Sequence, residues 1–250
     1  MKYAGLAILP ALLLLLGHVS HAGVVKGATA SAEVDLANGN VTVTVANVSQ
    51  QDITAFVVNV TCIGPDGGNN TASHSKEYGL PALTYKLALH PGETTEVQMH
   101  CGHTIPETRL VGVDAEVTVA IYGDQTAEVQ DELSFQWIID ERAGLADAIQ
   151  ICASAVKKAV SNSPPTDLPA HEHARLILER LLKKSQAESL KGDQKFFNRS
   201  FQLQLELQGE IDSVRTAPAG REREFIQQEA NRLQRRATLA QKYADVRRLP

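Results

Sequence analysis

The feature that most constrains this chain is a change of hydrophobic period just after Tyr122. Before it, apolar and polar residues alternate, as in Val41-Thr42-Val43-Thr44-Val45, so that one face of an extended strand enters a core while the other meets water. After it, Ile138, Leu145, Ile149, Cys152, Val156 and Val160 recur at spacings of 7, 4, 3, 4 and 4, which marks one stripe of a helix. The chain therefore reads as α+β, with strands first and helices second.

The strand half is densest between Val41 and Cys62. Phe56, Val58, Val60 and Cys62 share one parity, Ile53, Ala55, Val57 and Asn59 the other, and the polar run 47–52 between the two strands forms a turn. Further alternating runs are Ala30 to Leu36, Leu83 to Leu89, Val97 to Cys101 and Val111 to Ile121. Asn38-Gly39 and Pro91-Gly92 supply turn residues, and Gly64 to Asn70 has the composition of a mobile loop. Some seven short strands over roughly a hundred residues predict an immunoglobulin-like antiparallel β-sandwich over 24–128. Aromatic residues make up only 5% of the chain, so Val, Leu, Ile and Ala must fill the core.

The helical region, 130–250, is expected to hold three or four amphipathic helices. The first begins near Asp131 and ends at Pro164-Pro165. A second starts from Thr166 or Asp167 as N-cap, with Pro169 in its first turn and a stripe of Ala174, Ile177, Leu178, Leu181 and Leu182, and stops at Gly192. Lys195 to Val214 fits both periods. Its Gln and Glu content and the lack of β-branched residues before Ile211 favour helix. The last helix carries Phe225, Ile226, Ala230, Leu233, Ala237, Ala240 and Tyr243 on its inner side.

Residues 1–22 have the build of a secretory signal peptide: Lys2, an apolar run from Leu6 to Leu16, and small residues at Ser20 and Ala22. Export, to a periplasmic or extracellular location, is the expectation. An oxidising destination makes a disulfide the natural use of two of the three cysteines. Cys62 and Cys101 each end a strand on its inward parity and are the expected pair, closing a loop worth about 3 to 4.5 kcal/mol in the chain-entropy picture. Cys152 falls on the apolar stripe of a helix and reads as a buried thiol.

Few residue groups carry chemistry. His100, Cys101 and His103 form the one concentrated group of potential metal ligands, and a metal-dependent activity built on them is an alternative function; a disulfide at Cys101 would remove its sulfur. His171 and His173 lie about 200° apart on a helix and cannot chelate one ion together. Neither a nucleophile elbow, a phosphate-cradling loop, a His-Glu-x-x-His nor a Cys-x-x-Cys occurs. The reading is of no catalytic residues and no cofactor.

Charge is divided unevenly. Residues 23–170 hold 7 Lys and Arg against 18 Asp and Glu, whereas 171–250 hold 16 against 11. Arg232, Arg235 and Arg236 on the last helix are candidate partner-binding residues. Acidic interruptions and the lack of interleaved aromatics argue against nucleic acid and leave a membrane surface as the weaker alternative. Five Asn-x-Ser/Thr sequons, at Asn40, Asn47, Asn59, Asn69 and Asn198, are weak glycosylation signals.

Four short runs in order complete the reading: Asn47-Val48-Ser49, Ile53-Thr54-Ala55-Phe56, Leu89-His90-Pro91-Gly92-Glu93-Thr94 and Tyr122-Gly123-Asp124-Gln125-Thr126-Ala127-Glu128. Over about residues 30–145 this pattern resembles that of uncharacterised exported bacterial proteins with an immunoglobulin-like sandwich and a helical tail. The resemblance implies the fold and carries no catalytic residues. In that pattern a Gly usually stands where this chain has Gln125. The expected function is an exported, non-catalytic module that binds a protein partner, or self-associates through its helices.

Overall fold

The structure is a computed structural model that describes residues 25–35, 38–65, 67–78, 88–101, 110–161, 168–189 and 194–249. The signal-like segment 1–22, Leu36, Leu83, Tyr85, Leu87, His103, the prolines at 164 and 165, Thr166, Asp167 and Gly192 lie outside these residues.

Among the described residues there are eight strands and four helices. The strands are β1 (Ala28–Asp35), β2 (Asn40–Asn47), β3 (Ile53–Ile63), β4 (Asn69–Glu77), β5 (Thr94–His100), β6 (Gly112–Tyr122), β7 (Thr126–Val129) and β8 (Arg247–Arg248). The helices are α1 (Glu132–Ser161), α2 (Ala170–Ser189), α3 (Gln194–Arg215) and α4 (Glu222–Ala244). A three-stranded sheet, β1-β2-β5, faces a five-stranded sheet, β4-β3-β6-β7-β8, across a shared apolar core. Val41, Val43 and Val45 from β2 meet Phe56, Val58 and Val60 from β3 there, as the alternation requires. The Cys62–Cys101 disulfide joins the end of β3 to the residue after β5, linking the two sheets with a Cα–Cα separation of 6.0 Å.

Three expectations change. Asn69 and Asn70, read as loop, open β4, an edge strand whose polar sequence carries no apolar alternation because neither of its faces is deeply buried. The second helix begins at Ala170, so Pro169 precedes it rather than sitting in its first turn, and its carbonyl accepts the His173 N–H at 3.1 Å. The long alternation of Val111 to Ile121 does not keep one face inward. Val57 pairs with Val119 but Val58 with Val117, which leaves Thr118 as an extra residue in β6. This bulge flips the parity. Ala115 and Val117 on one side of it, and Ala120 and Tyr122 on the other, face the sandwich core, while Val119 and Ile121 face the opposite way.

That reversal gives the five-stranded sheet a second apolar face. Ala55, Val57, Val119, Ile121 and Ala127 form it, and Phe135 and Ile138 of α1 pack on it. The Thr118 carbonyl accepts the N–H groups of Gln130 and Asp131, which aims the chain from the sheet into α1. Asp131 then caps the helix: its Oδ1 accepts the N–H groups of Leu133 and Ser134, and its Oδ2 the Ser134 hydroxyl at 2.7 Å. These bonds hold its carboxyl below the usual carboxylate range. Further along, Leu145, Ile149, Cys152 and Val156 of α1 pack with Leu178 of α2, Leu207, Ile211 and Val214 of α3, and Ile226 and Leu233 of α4.

Sandwich and bundle are tied through one buried cation. Arg142 of α1, 1% exposed, donates from Nε and Nη2 to the two carboxylate oxygens of Glu77 at the end of β4, at 3.0 and 2.7 Å. Its Nη2 also reaches Thr54 Oγ1 at 3.2 Å, and its Nη1 the Tyr243 carbonyl at the end of α4 at 2.9 Å. Thr54 is the extra residue of a second register shift, between Ile53 and Ala55 in β3. Its hydroxyl donates to the Ile121 carbonyl at 3.2 Å and accepts from Arg142. Replacing Arg142 by Met removes the two-bond cationic partner of the Glu77 carboxylate. The expected loss is about 3 kcal/mol in denaturant unfolding, the low end for a broken buried pair because Glu77 keeps some contact with water.

Candidate partner-binding surface

The motifs that carried the family resemblance turn out to be one hydrogen-bonded unit. Asn47 is buried at the end of β2. Its Nδ2 donates to the carbonyls of Gln51 and Leu89, at 2.7 and 2.8 Å, and its Oδ1 accepts the Ser49 N–H and hydroxyl. Its backbone closes the ring, with its N–H donating to the Glu93 carbonyl and its own carbonyl accepting the Gly92 N–H. The asparagine thus locks the turn before β3 to the Leu-x-Pro-Gly-Glu turn before β5, in which Gly92 takes a φ of 78°. The sequon at Asn47 has no free amide to glycosylate, whereas Asn40 and Asn69 are exposed. The last motif is equally structural. Gln125 takes the left-handed φ of 65° that a Gly would adopt at no cost, and Glu128 Oε2 accepts the Tyr122 hydroxyl and the Gly27 N–H, each at 2.9 Å.

The candidate site residues are dispersed. Cys101 is in the disulfide, so its thiolate is withdrawn from any set of metal ligands, and His100 lies on the exposed side of the end of β5. Among the described residues no three His, Cys, Asp or Glu side chains converge in a manner suited to a metal ion. Cys152 is fully buried, and burial, then the nearby carboxylates of Glu210 and Glu206, push its thiol well above the usual range.

Two of the three arginines are engaged by carboxylates of the bundle. The Glu210 side chain, 5% exposed, accepts two bonds from Arg232 Nη2 at 2.9 and 2.8 Å, while Arg232 Nε reaches Glu229 at 2.7 Å. Arg236 spans Glu210 and Glu206 at 3.4 and 3.3 Å. These pairs bridge α3 to α4 with long side chains. Burial still pushes the Glu210 carboxyl upward against the two cations. Arg235 alone of the three is exposed.

The surface also carries apolar groups that no core explains. Leu133, 83% exposed, and Trp137, 43% exposed, are four residues apart on the outer face of α1, opposite the Phe135 and Ile138 side that meets the sheet. Glu132 and Asp140 flank them. Phe201 and Leu205 repeat the spacing on α3. In the sequence, Leu133 and Trp137 fall off the inward stripe of Ile138, Leu145 and Ile149, and only their spacing of four marks them as one outward patch. An open depression of about 550 Å³ is lined by Ala146 and Gln150 of α1 and by Ala237, Thr238, Gln241, Lys242, Ala244 and Asp245 at the end of α4, with Lys242 and Asp245 as its charged groups. No described helix is long and apolar enough to cross a membrane.

Compared with models of protein families and with curated proteins, the chain matches none. Among solved structures, the crystal structure of a DUF1425 family member from Shewanella sp. pv-4 aligns at 15% identity over 36% of this chain and 75% of that one, with a TM-score of 0.25. Overlap of that extent carries no argument about fold or function.

The Asn47 unit makes a direct prediction. Asn47→Asp keeps the acceptor for Ser49 but puts a carboxylate oxygen against the Gln51 and Leu89 carbonyls. Thermal and denaturant unfolding should show a loss of about 3 kcal/mol, with the largest amide shift changes over 88–93.

Proposed function

We propose that this is an exported, non-catalytic module that binds a protein partner through the outer face of the first turns of α1. The observation that carries the reading is the Leu133 and Trp137 pair: a tryptophan and a leucine in register, exposed on a helix whose opposite side is fixed to the sheet. Tryptophan is the residue type most enriched at the energetic centre of interfaces, and a rigid helix presents it at little entropic cost. Glu132 and Asp140 around the pair favour a partner with apolar and basic side chains.

Export is supported by the inter-sheet disulfide, which suits an oxidising compartment, and by the signal-like pattern of residues 1–22. The strand order supports the immunoglobulin-like reading of the sandwich. Strands β1-β2-β5 correspond to positions A, B and E of that fold, and β4-β3-β6-β7 to C′, C, F and G. The disulfide differs from that of antibody domains, since it joins the third strand to the end of the fifth.

The wild-type chain and a Leu133→Ala/Trp137→Ala variant, used as parallel baits on envelope extracts, test the proposal. A protein held by the wild type and weakened about thirtyfold by the double substitution is the expected result. Equal capture by both, or capture of nothing beyond a second copy of the chain, contradicts it.

A further inference from the structure

The C-terminus of the chain is used as a strand. After a link of two residues, Asp245 and Val246, from the end of α4 at Ala244, Arg247–Arg248 lies parallel to Thr126 and Ala127 of β7. Arg247 N–H donates to the carbonyl of Gln125, and Leu249 N–H to that of Ala127, both at 2.8 Å. Alternate side chains of the tail face the body of the protein. Val246 packs on the cluster that contains Ala127, Phe135 and Ile138. Two places on, the Arg248 guanidinium lies over the Phe135 ring, 5.1 Å from its centre, and pairs with Glu132. Arg247, between them, is exposed.

This is strand addition performed in cis: main-chain bonds supply attachment, and alternate side chains supply selectivity for an apolar residue followed at the second position by arginine. The attachment is slight. The tail pairs with two of the four residues of β7, and its ion pair is half exposed on both sides. It holds its place because α4 delivers it at high effective concentration. A strand pairing along all of Thr126–Val129 would make more main-chain bonds than the tail does.

We propose that the β7 edge, with Phe135 and Ile138 as floor and Glu132 at its rim, is a docking groove for an extended segment of a partner protein with the pattern apolar-x-Arg, and that the C-terminus of this chain is a displaceable latch over it. The inference rests on the reading of the protein as a protein-binding module and names the chemistry of the partner. The first turn of α1 carries both the rim residue Glu132 and, on its outer side, Leu133.

The test uses the full chain and a fluorescent peptide copying residues 244–249. Arg247→Pro removes the N–H that bonds the Gln125 carbonyl and frees the latch, so the variant should bind the peptide about tenfold more tightly than the wild type does. Adding Glu132→Lys should weaken that binding about fivefold or more. Circular dichroism confirms that both variants are folded. Hydrogen exchange on the wild type gives an independent readout: the amides of Arg247 and Leu249 should exchange at least about a hundredfold faster than those of Val117 and Val119 in β6. Peptide binding no tighter in Arg247→Pro than in wild type, binding indifferent to Glu132→Lys, or a tail as protected as β6 overturns the latch. If partner capture still depends on Trp137, the groove fails and the wider reading stands; if the peptide binds while capture ignores Trp137, the reverse holds.

Discussion

A guanidinium out of reach of water is the constraint on which the rest of this structure depends. A buried cation survives only where a counter-ion and further acceptors surround it, because losing its hydration costs several kcal/mol that one ion pair does not reliably return. Arg142 finds those groups in three places: the Glu77 carboxylate at the end of β4, the Thr54 hydroxyl in β3 and the Tyr243 carbonyl at the end of α4. Each fixes a different part of the molecule, so the sheet, the first helix and the last helix must arrive together. The Thr54 irregularity serves this arrangement by placing a hydroxyl that bonds both the Ile121 carbonyl and the guanidinium. The net worth of such a pair need not be large. Its effect is on geometry, since any other seating of α1 on the sheet leaves a charge stranded.

Much of this was legible in the sequence where the pattern is local. Period two and period 3.6 separated the strands from the helices, and the shared inward parity of Cys62 and Cys101 led to the disulfide. The choice of helix for Lys195 to Val214 rested on composition and matches α3. What escaped depends on tertiary context. Thr118 looks like any polar member of an alternating strand, and only the pairing of β3 with β6 reveals it as a bulge that turns Val119 and Ile121 toward α1. Strand β4 has almost no apolar residues to show a period, and β8 is two arginines recognisable as a strand only beside β7. Arg142 did leave a trace. The α1 stripe steps by seven from Ile138 to Leu145, and Arg142 occupies the skipped position four residues after Ile138. A charge in the slot of an apolar stripe is the signature of a buried ion pair.

The same geometry bears on function. Arg232 and Arg236, which composition alone would offer to a partner, are engaged by Glu206, Glu210 and Glu229 within the bundle. Facing outward at the junction of sheet and bundle are Leu133 and Trp137, while Glu132 in the first turn of α1 pairs with Arg248. The C-terminal tail lies against the other side of that turn. A helix anchored by Arg142 and capped by Asp131 holds these groups in fixed relation to the β7 edge, which is what a recognition surface for an extended segment requires.

Native-state hydrogen exchange in increasing denaturant, read at the slowest amides of β3 and of α4, tests the central claim most directly. If Arg142 makes one cooperative unit of sandwich and bundle, the two sets open with the same free energy to within about 1 kcal/mol and merge in one global transition. A bundle that opens several kcal/mol below the sandwich, with β3 still protected, would show that the helices are carried by the sheet rather than locked to it.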